Sequence, residues 1–434
     1  MKIIRTVLLC IAILLTCKHL TVAQDTLKIT VEQAEIRFLE KNLQLLAEHY
    51  NIDITDAAIM QAKLWPNPAL SVEDVNLWST EVFRNEMEEI LPSGAFAPNR
   101  QFAVGIEQII ITSGKRRKLV EMEKVSRDIA MQYFEELLRS LKVELRNACA
   151  EILYLQEYRK VLEKQREMLD ALIGNYRKQV EQGNISRSEL LRLQASQLAI
   201  QSEINELQRN MNEKQRELKT FLNISTPSHI ALTAPQRGEL DNIIVKSPSE
   251  LSLGNLFELA ETSRPDLKEV IFQKDFFEKM LRYERAQRMP DLALSTAYNR
   301  AGGVGHNFVG FGVNMDLPFF NRNQGNIRAA QISVQQSQTL VEQKLLEVRN
   351  EVVYAMQNYT LAYDFNRQIS GEFIADLDEM QESYFRNFIN RNIGIVEFLD
   401  FFEAYKENKR TALEAQKEVK ISFEELQYSV GVSL

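Results

Sequence analysis

Apolar residues recur at alternating spacings of three and four along very long stretches of this chain. Between Lys115 and Ile173 neither glycine nor proline interrupts this pattern. Such spacing is typical of an α-helix with one buried stripe. We therefore predict a helix at about 115–181, a short break, and a second helix at about 186–221. At 1.5 Å rise per residue, the first helix is a rod of about 100 Å.

The chain is internally duplicated, because Pro66–Ser71 matches Pro290–Ser295 and the long helical pattern returns in the second half. Helices are predicted there at about 326–390 and 395–428. Each half has the same predicted order of one helix, two strands and two long helices. The predicted units are a first repeat at residues 24–224, a polar linker at 225–250 and a second repeat at 251–434.

Short segments of alternating apolar and polar residues precede each pair of long helices. In the last of them, Val309, Phe311 and Val313 alternate with Gly310 and Gly312. This alternation predicts a strand, and a large apolar face opposite a small one is typical of membrane-crossing strands. A pair of hairpins packed on a soluble core gives the same pattern. The predicted strands lie at about 69–79, 101–111, 291–300 and 307–319.

The number of predicted strands limits how this chain could cross a membrane. Four strands cannot close into a barrel, and lipid does not tolerate an open sheet edge. If these strands span a membrane, the chain must therefore oligomerise, and three copies would supply twelve strands. Asp74 is an exception to the pattern because it falls on the side that would face lipid. Either it lies near the outer rim, or the register there is shifted by one residue.

The N-terminus has the pattern of a secretory signal peptide at residues 1–23. Basic Lys2 and Arg5 precede an apolar run of about ten residues, which is too short to span a bilayer as a helix. A small-residue cleavage site at its end makes Gln24 the predicted mature N-terminus. Lipidation at Cys17 is disfavoured, because Thr16 stands where glycine, alanine or serine is preferred.

Charge and composition exclude several classes of function. The net charge is −8 before the basic leader is removed, which argues against nucleic acid as a partner. Cleavage leaves Cys149 as the one cysteine, so an intrachain disulfide is not expected. The four histidines are scattered and no zinc-ligand spacing occurs. We therefore expect no metal site, no cofactor and no catalytic activity.

Two sequence marks resemble the TolC family of outer-membrane efflux proteins, and the resemblance covers nearly all of the mature length. One is the strand-to-helix passage Leu317–Ile327. The other is Tyr384–Asp400 with its counterpart Tyr176–Arg192, which look like the tips of two helical hairpins. The phrase Trp65–Leu70 is most similar to the branch of the family that serves heavy-metal pumps.

The resemblance implies a fold that combines a membrane β-barrel with an α-helical barrel. In such a fold a homotrimer builds one twelve-stranded barrel in outer-membrane lipid and one helical tunnel in the periplasm. It also implies a passive exit duct in a tripartite efflux or type I secretion system. An inner-membrane pump, expected to be of the RND type, would load the duct through a periplasmic adaptor (a membrane fusion protein). The alternative from the residues alone is a periplasmic coiled-coil scaffold without a pore.

Acidic residues stand where the family closes its tunnel. Glu397 and Asp400 are three residues apart, so they lie on one face of a helix. The resemblance implies that they form a periplasmic gate, together with Glu189 and Arg192 of the first repeat. A solvated helix face is the alternative for the same residues.

The hairpin tips and the strand–helix passages complete the candidate sites. The resemblance implies that the tips dock the adaptor, although glycine and asparagine there also serve simply to turn the chain. Because Arg391 replaces Gly183, we expect the two tips to differ in geometry. The tip residues are Gly183, Asn184, Ile185, Ser186, Arg391, Asn392, Ile393 and Gly394. The passage residues are Pro66, Pro68, Pro290, Pro318 and Gly325.

Overall fold

A computed structural model describes residues 26–76, 101–233, 246–301 and 308–434. Several predicted features lie outside these ranges: the signal peptide with Cys17, the strand end at 77–79 and part of the linker at 234–245. Within the described ranges, no helix combines the length and the apolar character needed to cross a bilayer.

The described part of the first repeat contains three β-strands and four α-helices before the linker. Thr30 begins the first helix with a capping box, in which its hydroxyl accepts from Gln33 N and the Gln33 side chain accepts from Thr30 N. The elements are β1 (Thr26–Ile29), α1 (Val31–Lys41), α2 (Leu43–Lys63), β2 (Ala69–Asn76), β3 (Gln101–Ile110), α3 (Lys115–Glu181) and α4 (Arg187–Phe221).

The linker and the second repeat follow with a similar order of elements. They are β4 (His229–Leu232), a 3-10 turn (Pro248–Glu250), α5 (Leu253–Ser263), α6 (Pro265–Ala286), β5 (Leu292–Ala301), β6 (Phe308–Met315), α7 (Gln324–Gln368), α8 (Gly371–Ile389) and α9 (Ile395–Val430).

The single helix predicted at 326–390 is wrong, because the chain divides it into α7 and α8. Ile369 is extended and ends α7, while Ser370 caps α8 by accepting a 3.0 Å hydrogen bond from Phe373 N. Serine and the following Gly371 both favour a helix boundary over a helix interior. The strand predicted at 307–319 also ends early, at Met315, since Pro318 has no N–H to donate.

Two short strands were not predicted. β1 pairs in parallel with β4, from Thr26 with His229 to Ile29 with Leu232, so the segment 225–250 is not only a linker. Four residues are too few for a periodic signal, and the partners are about two hundred residues apart. The short sheet sits beside the helices at the junction between α1 and the end of α4.

The four predicted strand segments form one antiparallel sheet in the order β2–β3–β5–β6. The central pair joins the two repeats, from Gln101 opposite Ala301 to Ile110 opposite Leu292. The register of β2 against β3 shifts between Glu73 and Asn76, and Asp74 there has φ 53°. This β-bulge is the reason why strict alternation misplaces Asp74.

The helices lie side by side in the same order as the strands. Close to the sheet the order is α2–α3–α6–α7, and towards the hairpin tips α4, α3 and α9 follow one another, with α7 and α8 beyond α9. The apolar stripe of α3 forms the core between them, with Leu145, Ile152 and Leu162 completely buried. Replacing one such leucine by alanine typically costs about 2–5 kcal/mol.

Candidate functional site at the hairpin tips

The first hairpin tip ends α3 with a left-handed glycine. Gly183 has φ 75°, and its N–H donates to Val180 O at 3.0 Å. The next residue, Asn184, donates from its backbone to Gln179 O at 2.9 Å. These two bonds form a Schellman motif, which satisfies carbonyls at the helix end that would otherwise lack a partner.

The second tip has the same backbone geometry, so the expectation that the tips differ is wrong at this level. Arg391 has φ 60°, and its N–H donates to Phe388 O at 3.1 Å. Asn392 N donates to Asn387 O at 2.9 Å. The hydrogen bonds of the turn thus hold an arginine in a conformation that costs a non-glycine residue roughly 1–2 kcal/mol.

The tips differ at the residue that begins the descending helix. Ser186 caps α4 by accepting from Glu189 N at 3.3 Å, and its hydroxyl also lies 3.4 Å from Glu189 Oε1. At the equivalent position Gly394 caps α9 without a side chain. Glu189 is therefore engaged in helix capping, whereas Glu397 has no capping partner of this kind.

The candidate gate residues project away from the protomer's core. Phe398 is 1% exposed and holds the first turn of α9 against the hairpin, so Glu397 and Asp400 on either side of it face outward and are exposed. Arg192 is exposed on α4. Within the described part of the chain, none of these three side chains has an ion pair, so Arg192 and the carboxylates do not pair inside one protomer.

A column of aromatic rings supports this end of the molecule, and sequence reasoning missed it. Tyr176 stacks on Phe388 at 5.6 Å between ring centroids, Phe388 on Phe398 at 4.4 Å, and Phe398 contacts Phe402 at 5.3 Å. The column joins α3, α8 and α9. Its signal in the sequence is the three-and-four spacing of aromatic residues on α8 and α9.

Polar contacts link the helices of the two hairpins on the side of the aromatic column away from the tips. Lys406 on α9 is 2.9 Å from Glu203 on α4 and 2.7 Å from Glu403. Asp378 on α8 accepts from Tyr405 Oη and from Lys409 Nζ, both at 2.7 Å. Burial alone would raise the pKa of Asp378, but these two hydrogen bonds lower it below its ordinary value. The Asp378 carboxylate therefore stays ionised at neutral pH.

Two buried glutamines in the same region have amide atoms without a hydrogen-bond partner among the described residues. Gln165 is fully buried and donates to Phe402 O at 2.9 Å, but its Oε1 has no hydrogen-bond partner among the described residues. Neither amide atom of Gln381, which is 2% exposed, has a partner there either. Unsatisfied buried polar groups cost about 1–3 kcal/mol each, so they lower the stability of this helix packing.

The strand–helix passages are fixed by side-chain contacts, within the first repeat at Pro66 and between the repeats at Pro290 and Asp291. Pro66 O accepts from Gln108 Nε2 at 2.9 Å, and Pro290 O accepts from Thr112 Oγ1 at 2.5 Å. The neighbouring Asp291 pairs with Lys115 at 2.9 Å. Pro68 immediately precedes β2.

The third passage leads from β6 into α7. Pro318 follows the end of β6, and Gly325 lies in the first turn of α7. Asn323 precedes that turn with φ 59°, as Gly114 precedes α3 with φ 65°. The helices α3 and α7 therefore both begin after a residue with left-handed backbone conformation.

The described residues contain no group of three or more histidine, cysteine, aspartate or glutamate side chains placed to hold a metal ion. Cys149 is buried in the helical core, where burial raises the pKa of its thiol to about 12.

Comparisons with known proteins agree with the family suggested by the sequence. The profile of the family described as outer membrane efflux protein matches residues 37–223 and 256–431. The cobalt-zinc-cadmium resistance protein CzcC of Cupriavidus metallidurans is 24% identical over 306 residues, which are 70% of this chain and 66%, just under two thirds, of that protein.

Solved structures show the same fold. CusC superposes with a TM-score of 0.72 at 18% identity, over 94% of both chains. The open state of the MtrE outer membrane channel of Neisseria gonorrhoeae gives 0.71 at 15% identity, over 93% of this chain and 89% of that one. The resemblance to TolC-like proteins is therefore confirmed, and the chain belongs to the outer membrane efflux protein family.

Proposed function

We propose that three copies of this chain close into one passive exit duct, with a twelve-stranded barrel in the outer membrane and a helical tunnel in the periplasm. The observation that carries this proposal is the matched order of strands and helices. The sheet begins with β2 and ends with β6, and the helical layer begins with α2 and ends with α7. Both layers therefore have their open edges on the same two sides of the protomer.

Open edges on opposite sides favour a ring. Among the described strands, β2 and β6 each have a partner on one side only, so β2 of one copy can meet β6 of the next. Such a head-to-tail interface repeats around an axis and closes as a cyclic oligomer. Because each chain contributes the four strands of the sheet β2–β3–β5–β6, three copies reach the twelve strands expected from the family.

The edge helices carry apolar side chains that a neighbouring copy would cover. On α2, Leu43, Leu46, Tyr50 and Ile54 lie on one stripe, and each is at least half exposed. At the other edge, Tyr354, Leu361 and Phe365 of α7 also share one stripe and are exposed. Burying apolar surface contributes about 25 cal/mol per Å², so these stripes support tight association between copies.

The tips complete the proposed function. In a ring, Glu397 and Asp400 of three copies would place six carboxylates around the axis, which attract cations and disfavour anions. The tip residues Gly183–Ser186 and Arg391–Gly394 would meet a periplasmic adaptor, and an inner-membrane pump of the RND type would supply the energy. Since one relative is named for cobalt, zinc and cadmium resistance, metal ions are the substrate class that we propose.

The experiment that tests the duct separates it from a scaffold without a pore. We expect the mature protein to be extracted from cell envelopes only by detergent, to have the mass of a trimer, and to conduct ions in planar bilayers. Recovery of a monomer in the soluble fraction without detergent would support the scaffold and refute the duct.

The gate has a test of its own. Replacing both Glu397 and Asp400 by alanine should raise the closed-state conductance, because fewer charges would hold and line the constriction. Exchanging Glu407 and Asp376 for alanine is the matched control, since these exposed acids lie away from the tip, Glu407 on α9 itself and Asp376 on the neighbouring α8. A closed-state current equal to that of the control would refute the gate assignment.

A further inference from the structure

A cavity of about 580 Å³ opens where β6 leads into α7. Its lining includes Arg288, Arg322 and Arg328, together with Phe320, Gln324 and Gln331. Arg288 follows the end of α6, Arg322 lies in the passage, and Arg328 lies in the second turn of α7. Elements from both sides of the strand–helix passage therefore bring three guanidinium groups to one cavity.

These arginines lack partners among the described residues, unlike the four basic residues that begin α3 in the first repeat. None of the three side chains has an ion pair or a hydrogen bond with another described residue, and all three are exposed. The adjacent carboxylate of Glu284 is 2.6 Å from Asn323 Nδ2. Three unneutralised cations around one cavity repel one another and favour an anion between them.

In the first repeat the corresponding cations are all engaged. Lys115 pairs with Asp291, Arg117 with Glu121, and Lys118 donates to Ser113 O. The guanidinium of Arg116 lies 4.0 Å from the ring centroid of Trp65 and also donates to Lys63 O. The start of α3 therefore offers no comparable group of unpaired cations among the described residues.

Large apolar side chains adjoin the cavity and are open to the surroundings. Phe320 is 95% exposed, Phe319 is 67% exposed and Leu317 is 58% exposed. Aromatic rings beside basic groups are typical of the boundary between hydrocarbon and headgroups, where each ring has one apolar and one polar neighbourhood. A soluble anion would satisfy the arginines but would leave these side chains in water.

We propose that this cavity binds the phosphate of an anionic phospholipid in the periplasmic leaflet, with the acyl chains along Leu317, Phe319 and Phe320. The inference rests on the proposed function, which places β6 in the membrane. Arginine matches a phosphodiester because its planar guanidinium can donate two parallel hydrogen bonds. The volume suffices for a headgroup, while the chains remain in the bilayer.

Native mass spectrometry of the purified trimer with added phosphatidylglycerol tests the proposal. We expect the wild-type protein to retain phosphatidylglycerol, and Arg322→Gln with Arg328→Gln to weaken retention by about tenfold or more. Arg288→Gln alone should give a smaller loss. Arg117→Gln is the matched control, because it removes one positive charge at the same level of the molecule and should retain lipid as the wild type does.

Two further arms identify the ligand and separate this inference from the duct itself. Phosphatidylcholine should be retained less than phosphatidylglycerol, and inorganic phosphate should not compete at equal concentration. Equal retention by the double variant and the control, or competition by inorganic phosphate, would overturn the lipid site. Conductance in planar bilayers is measured on the same preparations, so a conducting trimer without selective lipid loss refutes only this inference.

Discussion

The two repeats build the same helix junction with different chemistry. In the first, Asn42 caps α2 by accepting from Gln44 N and Leu45 N, both at 3.0 Å, and donates to Phe221 O at 3.1 Å. In the second, Arg264 stands at the equivalent place and donates to Ser429 O at 2.9 Å. The neutral Asn42 therefore makes in the first repeat the carbonyl contact that the charged Arg264 makes in the second.

The arginine needs further partners because it is 2% exposed. It forms ion pairs of 2.6 Å with both Asp266 and Glu351. Asp266 in turn lies 2.9 Å from Lys344 and 3.4 Å from Arg139, which links α6 to α7 and α3. The comparison teaches that the two repeats share the carbonyl contact, while the second junction adds an ionic network around it.

The largest difference is expected when the two equivalent residues are removed. Arg264→Ala leaves Asp266 and Glu351 without their shared cation, so the free energy of unfolding should fall by about 3 kcal/mol or more. Asn42→Ala removes a neutral cap and should cost about 1–2 kcal/mol. Denaturant unfolding followed by circular dichroism measures both. An equal or larger effect at Asn42 would contradict the comparison.

A smaller effect is expected from pH. Burial alone would raise the pKa of Asp266, but hydrogen bonds and charges from Arg264 and Lys344 bring it well below its ordinary value of about 3.8. The stability from this group is therefore fully present above that value and is lost as pH falls through the lower folded pKa. Unfolding midpoints between about pH 2 and pH 5 should decline less steeply in Asp266→Asn than in the wild type. Parallel declines would show that Asp266 is not the responsible group.

The smallest effect is expected at the tips. Replacing the left-handed residue there would remove the difference in backbone conformational energy between Arg391 and Gly183. Arg391→Gly should stabilise the second tip by about 1 kcal/mol, because glycine adopts positive φ without strain. Gly183→Ala should destabilise the first tip by a similar amount. Hydrogen exchange of the Asn392 and Asn184 amides reports each turn separately. Unchanged protection in both variants would show that the turns do not limit local opening.

Regular features of the fold could be predicted from the sequence because their signals are local and repeated. The helix predicted at about 115–181 corresponds to α3, since an uninterrupted stripe over many turns leaves few alternatives. The break at Ile369 and Ser370 and the bulge at Asp74 each depend on one or two residues, which periodicity averages out. The pairing of β1 with β4 depends on contacts between distant segments.

The candidate site was predicted only in part, for a related reason. Gly183 and Asn184 mark the first tip by composition, but Arg391 adopts the same left-handed turn because Asn392 and the end of α8 hold it there. Residue type alone therefore misjudged the second tip. The gate roles that we propose for Glu397 and Asp400 would depend on neighbours from other copies, and no pattern within one chain specifies such contacts.

The pairing of β3 with β5 has a consequence for how the protein matures. The partners are 200 residues apart at Gln101 and Ala301, and 182 apart at Ile110 and Leu292. Contact order this high slows folding, because loop closure must precede any gain from the pairing. β3 cannot meet β5 until most of the chain has been synthesised and exported. During that interval the apolar strands lack their sheet partners and are vulnerable to aggregation.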